Sequence, residues 1–120
     1  VPMTLHVERL SADSVMERLV VDRESRPYVS FTVRQFDRST GRWEMFYGNS
    51  SRATISRLAG QFKDGRIDWM SLTAPGESKL VAERTGPDGW RRTQYVSADR
   101  GSSWNVLFVD DLTRAAAPSP

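Results

Sequence analysis

The sequence contains no cysteine. That excludes disulfides, a thiol nucleophile and thiolate metal sites, and it fits a reducing compartment, so a cytoplasmic protein is the expectation. There is one histidine, His6, which is too few for a multi-histidine metal site and allows no Ser–His–Asp set beyond that position. No glycine-rich phosphate loop stands ahead of a helix, and no cofactor is expected. No apolar run is long enough to cross a bilayer, so no membrane partner is expected either. Lysine is scarce: of 17 basic residues, 15 are arginine and only Lys63 and Lys79 are lysine. The cations alternate with acids, as in Glu8-Arg9 and Asp64-Gly65-Arg66, and the net charge is only +2. Without a dense basic stripe to follow a phosphate backbone, no nucleic-acid partner is expected. The start, Val1-Pro2-Met3, lacks the basic and apolar regions of a signal peptide; Val1-Pro2 reads either as native or as residues added ahead of Met3.

What is present is period-two alternation broken by turns. Leu5, Val7 and Arg9 face one way and His6 and Glu8 the other, a first strand over Thr4 to Leu10. Val15 to Asp22 reads as a strand, with a single helical turn as the rival. Tyr28 to Phe36 is the strongest strand and Arg42 to Tyr47 returns from it. The expected register sets Phe36 opposite Trp43, Arg34 opposite Met45 and Thr32 opposite Tyr47, with Gln35–Glu44 and Val33–Phe46 on the other face. Arg52 to Phe62 alternates less cleanly, and a short helix over Ser51 to Leu58 competes; Gly60 within it suggests a bend. Lys63-Asp64-Gly65 predicts a hairpin turn and Ala74-Pro75-Gly76-Glu77 a type II turn. Lys79 to Thr85 and Trp90 to Val96 flank another turn; setting Thr85 opposite Trp90 brings Glu83 opposite Arg92 and Leu80 against Tyr95. A last strand follows from Trp104. Residues 115–120 have no periodicity and read as a flexible tail after a single domain over residues 1–114.

The turn Ser97-Ala98-Asp99-Arg100-Gly101-Ser102-Ser103-Trp104 fits the pattern S-x-D-x-G-x-[S/T]-W, an Asp-box. A short carboxylate at Asp99 can accept from backbone N–H groups just ahead, Gly101 supplies a positive φ, and the Trp104 indole can fold over the turn. Such turns occur in unrelated β proteins, so the motif speaks for a locked hairpin and not for a reaction.

Strands recurring about every ten residues predict an all-β antiparallel meander that closes into a small barrel of about eight strands. The strand Ser30 to Asp37 (S-F-T-V-R-Q-F-D), S-T-G-R-W from Ser39 to Trp43, G-Q-F-K-D-G from Gly60 to Gly65 and the segment Trp90 to Trp104 together resemble a family of small bacterial β-barrels of the lipocalin-like (calycin-like) group. The resemblance runs from Tyr28 to the last strand. It implies a barrel with an internal cavity and no agreed reaction. Relatives in that group usually carry a further N-terminal strand with a Trp near its start. Here no Trp precedes Trp43, which leaves the barrel shorter, open or completed by another chain.

Alternation gathers the candidate ligand-binding residues on one face: Tyr28, Thr32, Arg34, Phe36, Trp43, Met45 and Tyr47, joined by Trp69, Arg84 and Tyr95. An aromatic-walled interior with arginine predicts a binder of small hydrophobic or anionic ligands, since a guanidinium pairs with a carboxylate in a bidentate fork. A filled core whose arginines pair with Glu44 or Glu83, or reach solvent, is the competing reading. Alternation puts Arg34 and Glu44 on opposite faces, and Arg34 is the one expected inside. An enzyme of the cofactor-independent isomerase or cyclase type would need Glu44, Asp68, Glu83 or Tyr95 inside as acid or base. A third reading is a structural or interaction module whose exposed aromatic patch meets itself in a homodimer.

Overall fold

The computed structural model describes residues 3–22, 26–51 and 55–114; the expectations for Val1-Pro2 and for the tail at 115–120 lie outside them. Ten strands and no helix occur among the described residues: β1 (Met3–Ser11), β2 (Ser14–Val21), β3 (Tyr28–Asp37), β4 (Arg42–Asn49), β5 (Ser56–Gly60), β6 (Phe62–Lys63), β7 (Arg66–Ser71), β8 (Ser78–Gly86), β9 (Gly89–Val96) and β10 (Asn105–Thr113). Among the described residues no helix is long and apolar enough to cross a membrane. The helical alternative over Val15 to Asp22 gives way to strand β2, as β-branched and alternating sequence favours; of the one over Ser51 to Leu58, the end from Ser56 is strand β5, and residues 52–54 lie outside the described residues.

The strands form one antiparallel meander in the order β1-β2-β3-β4-β5-β7-β8-β9-β10, with β6 pairing β7 beside the main path. The β3–β4 register is the expected one, Phe36 against Trp43, Arg34 against Met45 and Thr32 against Tyr47. The Asp64-Gly65 turn has positive φ at both residues (54° and 76°), the requirement of a two-residue hairpin loop whose twist matches its strands. Gly76 has φ 78° and Glu77 N–H donates to the Ala74 carbonyl at 3.1 Å, the expected type II geometry. At the end of β5, a Cβ on Gly60 would stand 2.7 Å from the Asp68 carbonyl oxygen. Only glycine lets the strand press against β7 there, bend at Gln61 and resume as β6.

The sheet curls into an open half-barrel. The anticipated closure of about eight strands is not what forms, and strand count supplies the reason. Nine strands lie on the main path and each neighbour is antiparallel, so β1 and β10 run in the same direction. The two edges therefore cannot join in the antiparallel ladder that the rest of the sheet uses.

The main apolar cluster lies on the concave face, while the buried Ala59 and Val81 have the opposite parity. Met45, Leu58, Ile67 and Trp69 are buried, with Trp43, Tyr47, Leu80 and Ala82 packed against them. This places the apolar floor on β4, β5, β7 and β8. The convex face carries charged pairs such as Arg57–Glu44 at 3.3 Å and a guanidinium of Arg57 over the Phe46 ring.

Candidate functional site

The two arms of the half-barrel bring charge together above the apolar floor. Glu17 sits on β2, opposite Thr32 of β3, and the register carries Arg34 to the same face two pairs along. Arg34 Nη2 lies 3.3 Å from Glu17 Oε2, and the Thr32 hydroxyl donates to the same oxygen at 3.3 Å. From the opposite arm, Arg92 of β9 places Nη1 3.9 Å from Glu17 Oε1 and Nη2 3.4 Å from Asp110 of β10. The Glu17 side chain is only 11% exposed, Arg92 19% and Arg34 30%. Charges this far out of water require partners. The set holds two guanidiniums and two carboxylates, so it is neutral as a whole. Two donors are nevertheless left over: Arg34 Nε and Arg92 Nε are buried and find no hydrogen-bond partner among the described residues.

Aromatic and amide groups line the approach from β3 and β4. The Tyr28 and Tyr47 hydroxyls share a hydrogen bond of 2.9 Å, and Asn49 Nδ2 donates to the Tyr47 hydroxyl at 3.1 Å. The Phe36 and Trp43 rings pack at 5.1 Å between centroids, tilted by 52°.

Of the residues singled out in the sequence, Tyr28, Thr32, Arg34, Phe36, Trp43, Met45, Tyr47 and Trp69 share the concave face through the registers of β3, β4, β5 and β7. Arg84 has the same parity on β8 but lies at its exposed end, where its guanidinium donates to the Gly86 and Pro87 carbonyls at 3.1 Å each. Tyr95 is on the convex face, opposite Lys79 and with the Lys79 ammonium 5.1 Å from its ring centre. The expected β8–β9 register holds only at the turn, Gly86 against Gly89. Thr85 then drops out as an extra residue, so that Arg84 pairs with Trp90, Glu83 with Arg91 and Leu80 with Gln94. A slip of one residue moves every following side chain to the other face, and that is what happens to Tyr95.

Glu44, Asp68 and Glu83 also fall on the convex face, Asp68 held by Arg66 at 2.7 Å. The carboxylates that do reach the concave side, Glu17 and Asp110, were missed, as was Arg92. A signal for Glu17 existed, since it shares its alternation with Val15, Leu19 and Val21, an acid on the apolar side of a strand.

Two open depressions lie elsewhere. An open hollow of about 650 Å³ on the convex side is walled by Arg42, Lys63, Arg66, Asp68 and Met70, over the small residues Ala59 and Gly60. A second, of about 140 Å³, adjoins it at Arg42, Glu44 and Ala59. Both lie where the end of β5 offers only Ala59 and Gly60 between two strands with long side chains. Among the described residues no three histidine or acidic side chains cluster as metal ligands would.

The turn after β9 is locked as its chemistry suggests. The Ser97 hydroxyl donates to Asp99 Oδ1 at 2.7 Å, Ser103 N–H donates to the same oxygen at 2.8 Å, and the Ser103 hydroxyl donates to Oδ2 at 2.5 Å. These three donors, the Ser103 hydroxyl foremost, lower the Asp99 pKa to about 2. A carboxylate so fixed in its charged form serves the turn and is a poor proton donor at neutral pH. The Lys79 ammonium stands 4.7 Å from the Trp104 ring centre, tying β8 to the end of the turn.

No protein-family model, curated protein or solved structure matches the chain.

Proposed function

We propose that the concave face binds a small ligand that joins an apolar body to a carboxylate, in the manner of an opened lipocalin-like barrel. The observation that carries this reading is the pair of unpartnered buried donors, Arg34 Nε and Arg92 Nε, on either side of Glu17. A buried N–H without an acceptor is costly, and native proteins satisfy such groups with water, an ion or a ligand. The 3.9 Å contact between Arg92 and Glu17 is too long for a hydrogen bond, so Arg92, bonded to Asp110 through Nη2 alone, keeps its Nε–H for a further acid. A ligand carboxylate accepting from both Nε–H groups would complete the network, and its apolar part would lie toward Leu80, Trp69 and Tyr47. The lack of cysteine fits action in the cytoplasm.

The test is titration calorimetry and thermal shift with octanoate, laurate and phenylacetate, each beside the alcohol of the same skeleton. The acids should raise Tm and the alcohols should not. Arg34→Ala should weaken acid binding about tenfold or more, the scale of one charge-assisted hydrogen bond. No stabilisation by any of the acids, or equal stabilisation by the alcohols, overturns the reading.

A further inference from the structure

The two free edges of the sheet are built differently. At β1, the exposed apolar residues Met3, Val7 and Leu10 are interrupted by the exposed residues His6, Glu8 and Arg9. Charged side chains on an edge strand discourage another strand from pairing there. On β10, Val106, Leu107, Phe108 and Val109 follow one another at 57, 60, 45 and 50% exposure with no charge among them. A free row of N–H and C=O groups beside four uninterrupted apolar side chains is a template for one more strand.

We propose that β10 pairs antiparallel with β10 of a second copy of this chain, about a two-fold axis between Leu107 and Phe108. A two-fold axis makes the strand its own partner, so its charges decide whether the register is tolerable. Centred there, Val106 meets Val109, Leu107 meets Phe108 and Asn105 meets Asp110. Asp111 meets Trp104, whose ring already holds the Lys79 ammonium at 4.7 Å, so opposite charges are brought together. A register centred on the acidic pair would instead set Asp110 against Asp111, like charge against like. Within each copy both acids are already matched, Asp111 by Arg91 at 2.8 Å and Asp110 by Arg92 at 3.4 Å. The bulge in β10, where Leu107 is the residue without a partner on β9, falls beside the axis. Both strands therefore kink at the same place, and the seam stays in step.

The experiment is sedimentation velocity on the full chain over a concentration series. The chain should sediment as a dimer, and Leu107→Lys should raise the dissociation constant about tenfold or more by setting two charges at the seam. Leu107 is already exposed, so that variant should keep its fold, which circular dichroism checks. Val7→Lys on the β1 edge should remain dimeric. In a chain free of cysteine, the double variant Val106→Cys with Val109→Cys should oxidise to an interchain disulfide, since the two sites are too far apart along one strand to bridge within it. A monomeric wild-type chain, or a dimer that survives Leu107→Lys, overturns the proposal. Neither result depends on a ligand, so the test stands apart from that of carboxylate binding.

Discussion

Arg92 of β9 reaches to within 3.9 Å of Glu17 of β2, although five strands lie between β2 and β9 along the sheet. Sequence neighbours did not make this contact; curvature did. Each strand pair rotates a little against the next, and the accumulated twist and bend swing the two arms toward one another. The ion pair then bridges them over the core of Met45, Leu58, Ile67 and Trp69.

Removing the acid at the centre of that bridge should therefore loosen both arms. Glu17→Ala leaves Arg34 and Arg92 without their shared partner, and we expect a loss of about 3 kcal/mol, the lower end for breaking a buried pair because both arginines keep some solvent. Glu17→Gln retains an acceptor for the Thr32 hydroxyl and should cost less. Urea unfolding of the two variants, with Arg57→Ala as an exposed-pair control expected to change stability by well under about 1 kcal/mol, measures the difference.

Two glycines separate backbone strain from backbone freedom. Gly76 has φ 78°, and a Cβ there would stand 2.8 Å from the Arg100 carbonyl oxygen. Gly76→Ala should destabilise by about 1–3 kcal/mol, from the unfavourable φ and from forcing apart the turn before β8 and the turn after β9. At Gly86 nothing lies within 4 Å of a built Cβ. Gly86→Ala should be neutral or stabilising, by up to about 1 kcal/mol, through the lower entropy of the unfolded chain. Thermal denaturation of both variants should give shifts of unequal size, with Gly76→Ala much the larger loss.

Acid should unlock the turn after β9. The folded pKa of Asp99 is lowered from 3.8 to about 2 by its hydroxyl and N–H donors. The stabilising contribution is thus complete above the ordinary carboxylate value and disappears as the pH falls through the folded one. Hydrogen bonds also lower the pKa of Asp13, Asp37 and Asp111, led by Arg38, Ser39 and Arg91 respectively. Tm should therefore fall as the pH is taken from 3.8 toward about 2. In Asp99→Asn, Tm should be lower at neutral pH and the acid slope shallower. An unchanged slope in that variant would remove Asp99 from the account.

How much of this was legible in the chain depends on distance along it. The β3–β4 register could be read because Asp37 to Arg42 makes a short turn and both strands alternate without interruption. The turns at Asp64-Gly65 and Gly76 were readable from glycine position alone. The β8–β9 register slipped because Thr85 is extruded beside the turn, and neither composition nor alternation marks an extra residue. That single displacement sent Tyr95 to the convex face. Arg34 could be placed inside from the parity of β3. Its partner Glu17 was within reach of the same parity argument, as an acid on the apolar side of the neighbouring strand, but Arg92 could not be named, because the approach of β2 to β9 is a sum over many small rotations. Closure was misjudged for a different reason: an approximate strand number leaves the parity open, and it is the odd number on the main path, nine, that sets the first and last strands running the same way.

That shared direction also decides where the described chain enters and leaves the sheet. Met3 opens β1 at one rim and Thr113 ends β10 at the opposite rim, a strand length of about 30 Å away. A short peptide stitched from one to the other could not reach without unzipping an edge. Labels attached at the two points would report from opposite ends of the trough.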